Sequence, residues 1–519
     1  MSVVVLVREG CYQDSARLMQ VSRELSALPG VAEAVAMMGT ETNRKLLAGA
    51  GFADPALDRA TPLDMVVAFR AATGDAMEGA QAALDRLLSG ARPQEGNAGE
   101  AGAGRRPGSV VEALEAHPAA RLVSVAVPGP YAAFVAHRAL DARRSVFLFS
   151  DNVPLADEVA LKARAVRLGL LVMGPDCGTA ILAGTGLGFA NRVERGPVGI
   201  VGASGTGIQE LACILDRAGV GVSHAIGTGS RDLSEAVGGA MTEMGLALLA
   251  RDPATRCVAL VAKHPAESVA RRLHGVLGKL GKPVVVRYLG EVPNPSAEGV
   301  FYARSLDEAA AAAAVWARGA GEERSRENLS GTAFRALAPE TARSGGRLVG
   351  LYGGGSLAAE AVFVLAAHGI ATIEPEAKLS AGTPWPPGNL VVDTGDDAYT
   401  VGRPHPMVDQ TVRCGLIRSV GSDPSVRVLL LDLVLGDGAH PDPAPEIVRA
   451  VTDARAARVS LSRAPLSVVA SVCGARRDPQ GTERQERLLR EASILVEPTA
   501  ARAARVAAEL LHAPAEVSR

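Results

Sequence analysis

Short aliphatic runs recur along this chain, separated by stretches whose apolar positions fall at helical spacing, and that alternation predicts βαβ units. Near the start, Val3–Val7 and Val31–Met37 read as strands around a helix over Ser15–Leu28. The middle offers strands at Leu122–Val127, Ser145–Phe149, Leu170–Met173, Val198–Val201, Val258–Ala262 and Val284–Tyr288. The tail repeats the theme at Leu348–Tyr352, Leu390–Asp393, Val426–Leu431 and Ser467–Ser471. The alanine run 309–314 follows Ser305-Leu306-Asp307-Glu308, the pattern of a capped helix rather than of low complexity. Residues 91–108 and 317–346, rich in Gly, Pro and charge and without apolar period, read as linkers. A further turn at Arg195-Gly196-Pro197 precedes a fresh strand. The fold class this predicts is α/β, a string of doubly wound domains over 1–90, 109–194, 195–318 and 345–513.

Composition narrows the function. A chain of 519 residues that is 48% hydrophobic and 21% charged has enough apolar material for several cores and is not a disordered protein. Only 3% is aromatic, which suits Ala/Val/Leu-packed parallel layers better than base stacking. The 54 basic and 56 acidic residues leave a net charge of −2, no global attraction for nucleic acid or an anionic membrane. Six cysteines (Cys11, Cys177, Cys213, Cys257, Cys414, Cys473) contain no CxxC pair, so reduced thiols are expected rather than zinc or a disulfide framework. Neither a signal peptide nor a membrane helix is expected, and the default location is the cytoplasm.

The sharpest local signal is Val198-Gly199-Ile200-Val201-Gly202-Ala203-Ser204-Gly205-Thr206-Gly207, a buried strand that runs through a glycine-rich turn into a helix. The first turn of such a helix presents unpaired amides and the positive dipole end to an anion, and Ser204 and Thr206 add hydroxyls. No P-loop is present, since Ile208-Gln209 stands where Lys-Ser/Thr is required. Nor is there a nucleophile elbow, because Thr206 replaces its last glycine. The alternative is a tight turn without a ligand. A second turn of this kind is Tyr352-Gly353-Gly354-Gly355-Ser356, which can equally be plain packing. Two such turns in one chain suggest a shared anion. Gly174-Pro175-Asp176-Cys177 ends another predicted strand, where ligands collect in parallel sheets, or it is a Gly-Pro turn with a buried thiol. In Gly402-Arg403-Pro404-His405-Pro406, the stiffly held His405 can polarise or protonate a carbonyl. Cys11 is a weaker candidate thiol, and His264 and His440 have less support still.

Residues 120–290 resemble the α-subunit of succinyl-CoA synthetase, through Gly174-Pro175-Asp176-Cys177 and the Val198–Thr206 strand and helix start. The tail, 347–513, resembles the carboxy-terminal domain of its β-subunit through Gly353-Gly354-Gly355-Ser356. Gly10-Cys11-Tyr12-Gln13-Asp14-Ser15, Phe149-Ser150-Asp151-Asn152-Val153, Ala225-Ile226-Gly227-Thr228-Gly229 and Arg403-Pro404-His405-Pro406-Met407 resemble the FdrA family of acyl-CoA-synthetase-like proteins over nearly the whole chain. On this resemblance 109–194 is a CoA-binding-like Rossmann domain, 195–318 a ligase-like flavodoxin domain and 345–513 a ligase-CoA domain. The resemblance further implies that the two helix starts face one phosphate.

Three departures stand beside the resemblance. The chain has no place for an ATP-grasp nucleotide domain. Glu291-Val292-Pro293-Asn294-Pro295-Ser296 occupies the position of the phosphohistidine loop without a histidine. No CoA-gripping glycine loop is recognisable in residues 1–20. What remains suits an acyl phosphate, with donors placed to stabilise its tetrahedral oxyanion. The family association therefore implies carbamoyl transfer between oxamate or oxalurate and phosphate in purine (allantoin) catabolism, with carbamoyl phosphate or phosphate as ligand and CoA as a further one. Companion subunits and a carbamate kinase are then expected as partners. The alternative is an ATP-dependent acyl-CoA synthetase that borrows an ATP-grasp partner in trans, and a third reading is a non-enzymatic CoA or metabolite sensor. The candidate site residues are Ser204, Gly205, Thr206, Gly354, Gly355, Ser356, Asp176 and Cys177 for substrate, with His405 and Arg403 for catalysis.

Overall fold

The computed structural model describes residues 2–13, 15–89, 107–292, 294–319, 346–375, 378–380, 384–400 and 404–512. Arg403 and most of the two expected linkers lie outside these residues. The chain divides into two compact units, Met1–Pro118 with Asp397–Asp409, and Ala119–Asp396 with Gln410–Arg519.

The first unit is built on three strands in the order Ser2–Arg8, Met65–Ala71, Val31–Met38. Both pairings are antiparallel, so the head departs from the parallel βαβ pattern expected of it. The reason is the central strand, Met65–Ala71, which the apolar pattern did not flag and which separates the two strands that were predicted. One face of the sheet packs Phe69, Met38 and Val67 with Leu18, Val21, Leu25 and Leu84, residues of the helices Ser15–Ser26 and Gly74–Ser89. The other face packs Val66 and Ala68 with Leu47, Phe52 and Leu57.

The second unit is α/β with parallel sheets. Strands Leu122–Val125, Ser145–Leu148 and Val172–Met173 form a small parallel sheet in chain order. A seven-stranded sheet runs Val300–Tyr302, Val284–Leu289, Cys257–Lys263, Arg195–Ala203, Val222–Gly227, and then the hairpin Thr179–Leu182 and Thr185–Gly188. Its first five strands are parallel and the hairpin joins antiparallel. A six-stranded, wholly parallel sheet has the order Thr372–Ile373, Asn389–Asp393, Arg347–Tyr352, Val426–Val434, Ser467–Cys473, Leu495–Glu497. Strands such as Val284–Leu289 and Arg347–Tyr352 are buried at every residue, which is why they are apolar apart from Arg287 and Arg347. In both large sheets the strand that feeds a glycine-rich turn, Arg195–Ala203 or Arg347–Tyr352, is internal. Helix Leu306–Ala317 has the predicted cap, Ser305 accepting the Glu308 N–H at 3.1 Å. Among the described residues no helix is long and apolar enough to cross a membrane.

Candidate functional site

Strand Arg195–Ala203 ends at Ser204, whose extended backbone caps the helix Gly205–Arg217. Its hydroxyl accepts the Gly207 N–H at 3.2 Å. A Cβ on Gly207 would lie 2.4 Å from that hydroxyl and 2.9 Å from Val261, so packing alone fixes this glycine. Strand Arg347–Tyr352 ends at Gly353, and Gly354 is the extended cap of the helix Gly355–Ala367. Here the protein supplies its own anion. The two carboxylate oxygens of Asp432 accept the N–H groups of Gly353 and Gly354 at 2.7 and 2.9 Å. Arg413 pairs with the same carboxylate at 2.5 Å, which settles the charge of a fully buried aspartate.

The two helices meet at their starts. Ser204 Oγ lies 2.5 Å from Ser356 Oγ, and a Cβ on Gly354 would lie 2.9 Å from Thr206 Cγ2. Two glutamates brace this meeting reciprocally. Glu210, on the first helix, accepts the N–H of Ala500 at 2.9 Å, at the start of the helix Ala500–His512 that packs on the six-stranded sheet. Glu360, on the second helix, accepts the N–H of Leu306 at 2.6 Å, at the start of the helix Leu306–Ala317 that packs on the seven-stranded sheet. Each sheet system thus caps a helix of the other through a buried carboxylate. Arg287 pairs with Glu360 at 2.6 Å, both fully buried, and lies over the Phe363 ring. Burial pushes Glu360 upward against the pull of Arg287. Burial pushes Glu210 up to about 7, against the opposing pull of Arg217 and the Ala500 N–H.

Two further charges stand over the second helix start. Asp393 ends the strand Asn389–Asp393, and Lys263 ends Cys257–Lys263 in the other sheet. A Cβ on Gly355 would lie 2.0 Å from Asp393 Oδ2 and 2.8 Å from Lys263 Nζ, so both side chains occupy the space this glycine leaves open. Asp393 Oδ1 accepts the Gly395 N–H at 2.9 Å. Burial pushes Asp393 up to about 6; Lys263 and the Gly395 amide oppose that rise, while Asp432 and Asp396 add to it. The register pairs Asp393 with Tyr352 and Asp432 with Ser471, so a row of polar groups crosses the carboxyl edge of an otherwise aliphatic sheet. At the neighbouring edge His264 Nδ1 lies 2.7 Å from Glu291.

Of the residues singled out in the sequence, Ser204, Thr206, Gly354 and Ser356 come together, and Gly355 bears on the same place through Asp393 and Lys263. Gly205 faces Thr179 Oγ1, which would lie 3.6 Å from its Cβ. Asp176 is exposed, with its N–H given to Ser150 O at 2.9 Å. Cys177 is buried, its thiol pushed up to about 12 by burial and its Sγ 2.5 Å from where a Gly227 Cβ would sit. That thiol is a neutral packing group, and Thr179 is the member of its segment that reaches the first helix start. His405 belongs to the other compact unit, where its Nδ1 accepts the Met407 N–H at 3.1 Å. Asp393 stood out in the sequence only as part of a polar loop segment, Asp393-Thr394-Gly395-Asp396-Asp397, and Lys263, Asp432, Arg413 and the two glutamates carried no assigned role. Their signal was a charge at the end of, or within, an aliphatic run, as in Val258–Lys263 and Val428–Val434.

Two family models match, one described as "AllF, heavy metal-associated domain" over residues 1–104 and one described as "CoA-ligase" over 351–510. Among the described residues no cluster of His, Cys, Asp and Glu is arranged to hold a metal ion. The protein YahF of Escherichia coli (strain K12) is 36% identical over 502 residues, 96% of each chain. The α-subunit of the ADP-forming succinate–CoA ligase of Methanothermobacter thermautotrophicus is 29% identical over 176 residues, 33% of this chain and 57% of that one. The corresponding α-subunit 2 of Archaeoglobus fulgidus is 30% identical over 188 residues, 35% of this chain and 63% of that one. The chain therefore spans less than two thirds of either ligase subunit. A solved acetyl-coenzyme A synthetase 1 of Ca. Korarchaeum cryptofilum aligns at 17% identity over 75% of this chain and 82% of that one, with a TM-score of 0.31. With YahF matched from end to end and a CoA-ligase domain in the tail, the chain belongs to the FdrA-like acyl-CoA synthetase family.

Proposed function

We propose that this chain is the acyl-transfer subunit of an acid–thiol ligase, exchanging an acyl group between phosphate and the thiol of CoA. The observation that carries the reading is the contact between the two helix starts, with Ser204 Oγ 2.5 Å from Ser356 Oγ and Lys263 beside Gly355. Asp432 takes the Gly353 and Gly354 amides, so the first helix start, the Gly355–Ser356 turn and the Lys263 ammonium group are what favour a phosphoryl group. In a half-buried site such contacts are stronger than in water. With no ATP-grasp domain expected from the sequence, the reading assigns nucleotide chemistry to a companion subunit in trans. The loop at Glu291 lacks a histidine, so the step assigned to this chain alone is attack of the thiol on an acyl phosphate.

Carbamoyl transfer, expected from the resemblance, draws no support from the relatives, whose names speak of CoA ligation. Carbamoyl phosphate nevertheless belongs among the acyl phosphates to be tried. The test is to incubate the full chain with CoA and acetyl, succinyl or carbamoyl phosphate, following thioester formation and phosphate release together. Equal, CoA-dependent release of phosphate and gain of thioester supports the proposal. Phosphate release that needs oxamate and ignores CoA would return the carbamoyl reading, and no turnover with any acyl phosphate, alone or with an ATP-grasp partner, would overturn both.

A further inference from the structure

We propose that Asp393 is the proton relay of this site, taking the thiol proton and returning it to the departing phosphate, with Lys263 as its positioning residue. The proposal rests on the acyl-transfer reading. The thiol S–H carries a proton that must leave as the C–S bond forms. The bond between the acyl carbon and the bridging phosphate oxygen breaks in the same exchange, and that oxygen leaves on the phosphate with the bond pair and takes a proton. A carboxylate between the two serves as base and then as acid, so thiol and acyl phosphate become thioester and hydrogen phosphate with no other reactant.

Position singles out Asp393 for this work. Its Oδ2 lies over the helix start at Gly355, 2.0 Å from the point where a side chain would begin, and the residue is half-buried rather than sealed. Asp432 cannot take the role, because Arg413 and the amides of Gly353 and Gly354 hold its oxygens and it is fully buried. The groups that face Asp393 are Lys263 from the neighbouring sheet, Asp432 from two strands along in the same sheet and Asp396 from the turn that follows. Tyr352, across from it in register, stays neutral, its hydroxyl raised well above its usual range by burial. A carboxylate at an anion site is costly unless it can protonate, and here burial pushes Asp393 up to about 6, within reach of a neutral-pH proton exchange.

Two measurements test this. Sulfate, which does not titrate near neutrality, is bound to the full chain by calorimetry in buffers of different ionisation heat between pH 6 and 7.5. The wild type should take up a proton on binding, and Asp393→Asn should bind sulfate at least as tightly with no uptake. In turnover with CoA and acetyl phosphate, Asp393→Asn should lose roughly 100-fold or more in kcat. It should also lose the acid limb of the wild-type profile, which falls as pH drops through about 6. Asp393→Glu keeps the limb. Lys263→Met removes the charge that stabilises the carboxylate, so the limb moves to higher pH. Proton uptake lost in Asp393→Asn, without turnover in the wild type, would place Asp393 at the anion while refuting the acyl-transfer reading. Turnover with an intact acid limb in Asp393→Asn would overturn the relay itself.

Discussion

Replacing Gly355 by alanine puts a methyl group in place of a hydrogen at a point where the two sheet systems bring charged groups together. The new Cβ would sit 2.0 Å from Asp393 Oδ2 and 2.8 Å from Lys263 Nζ, where ordinary contact begins at 3.4 Å. The carboxylate must therefore retreat by about 1.4 Å, which breaks the 2.9 Å bond from Gly395 N–H. Overpacking of this kind costs about 1–3 kcal/mol, and the better helix propensity of alanine returns up to about 1. The net loss of stability is then at most about 3 kcal/mol, a shift of a few degrees in Tm. The effect on turnover should be larger, because a misplacement near 1 Å costs about 100-fold in rate. Gly205→Ala is the control. Its Cβ meets only Thr179 Oγ1 at 3.6 Å, an ordinary contact, so activity should stay within about twofold. The assay is CoA-dependent thioester formation from acetyl phosphate, with calorimetric melting alongside. Full activity in Gly355→Ala, or equal damage in Gly205→Ala, would refute the reasoning. The sequence alone treats the two glycines as equivalent, and the structure separates them.

Further outcomes follow from the buried carboxylates. Glu210 ionises at about 7 in the folded chain against 4.5 in an unfolded one, a difference worth about 3 kcal/mol. The folded state keeps the proton longer, so stability should fall as pH rises from 4.5 to about 7 and then level off. Glu210→Gln should lack that fall, as urea titrations at pH 5 and 8 would reveal; identical pH dependence in both proteins would count against the assignment. Glu360→Ala leaves Arg287 charged and unpaired and the Leu306 N–H without its acceptor. Equilibrium unfolding should then show a loss of about 3–5 kcal/mol. The double variant Arg287→Met/Glu360→Leu should recover most of it, and a double variant as weak as the single would contradict the ion-pair account.

Most of the parallel strands were legible because strands covered on both faces are predominantly apolar and announce themselves as aliphatic runs, whereas the internal strand Val222–Gly227, with Ser223 and His224 in it, was not predicted. Met65–Ala71 escaped because Arg70 and two alanines dilute its apolar signal, and the antiparallel head escaped with it. The edge strands Thr372–Ile373 and Leu495–Glu497 are too short to register as a period. At the site, the helix starts were legible because glycine and serine at a strand–helix turn have a local meaning. Asp393 was legible only as one residue of a polar loop, and its meeting with Lys263 was not, since what brings them together is the approach of two sheets, and nothing local encodes it. The reciprocal caps of Glu210 and Glu360 span 290 and 54 residues of sequence, so each looked like an ordinary helical glutamate. Cys177 misled for the opposite reason. Its motif was local and conspicuous, yet burial makes the thiol inert and leaves Thr179 to face the helix start.

The central claim is that one anion is held by both helix starts at once. A crystal structure of the full chain soaked in phosphate tests it most directly. The account predicts one phosphate in hydrogen-bond contact with the Ser204–Thr206 turn and the Gly355–Ser356 turn together, with Lys263 Nζ turned toward it and the Ser204–Ser356 bond exchanged for bonds to the anion. A phosphate that touches a single turn, or that binds elsewhere while the two serines keep their 2.5 Å contact, would contradict it.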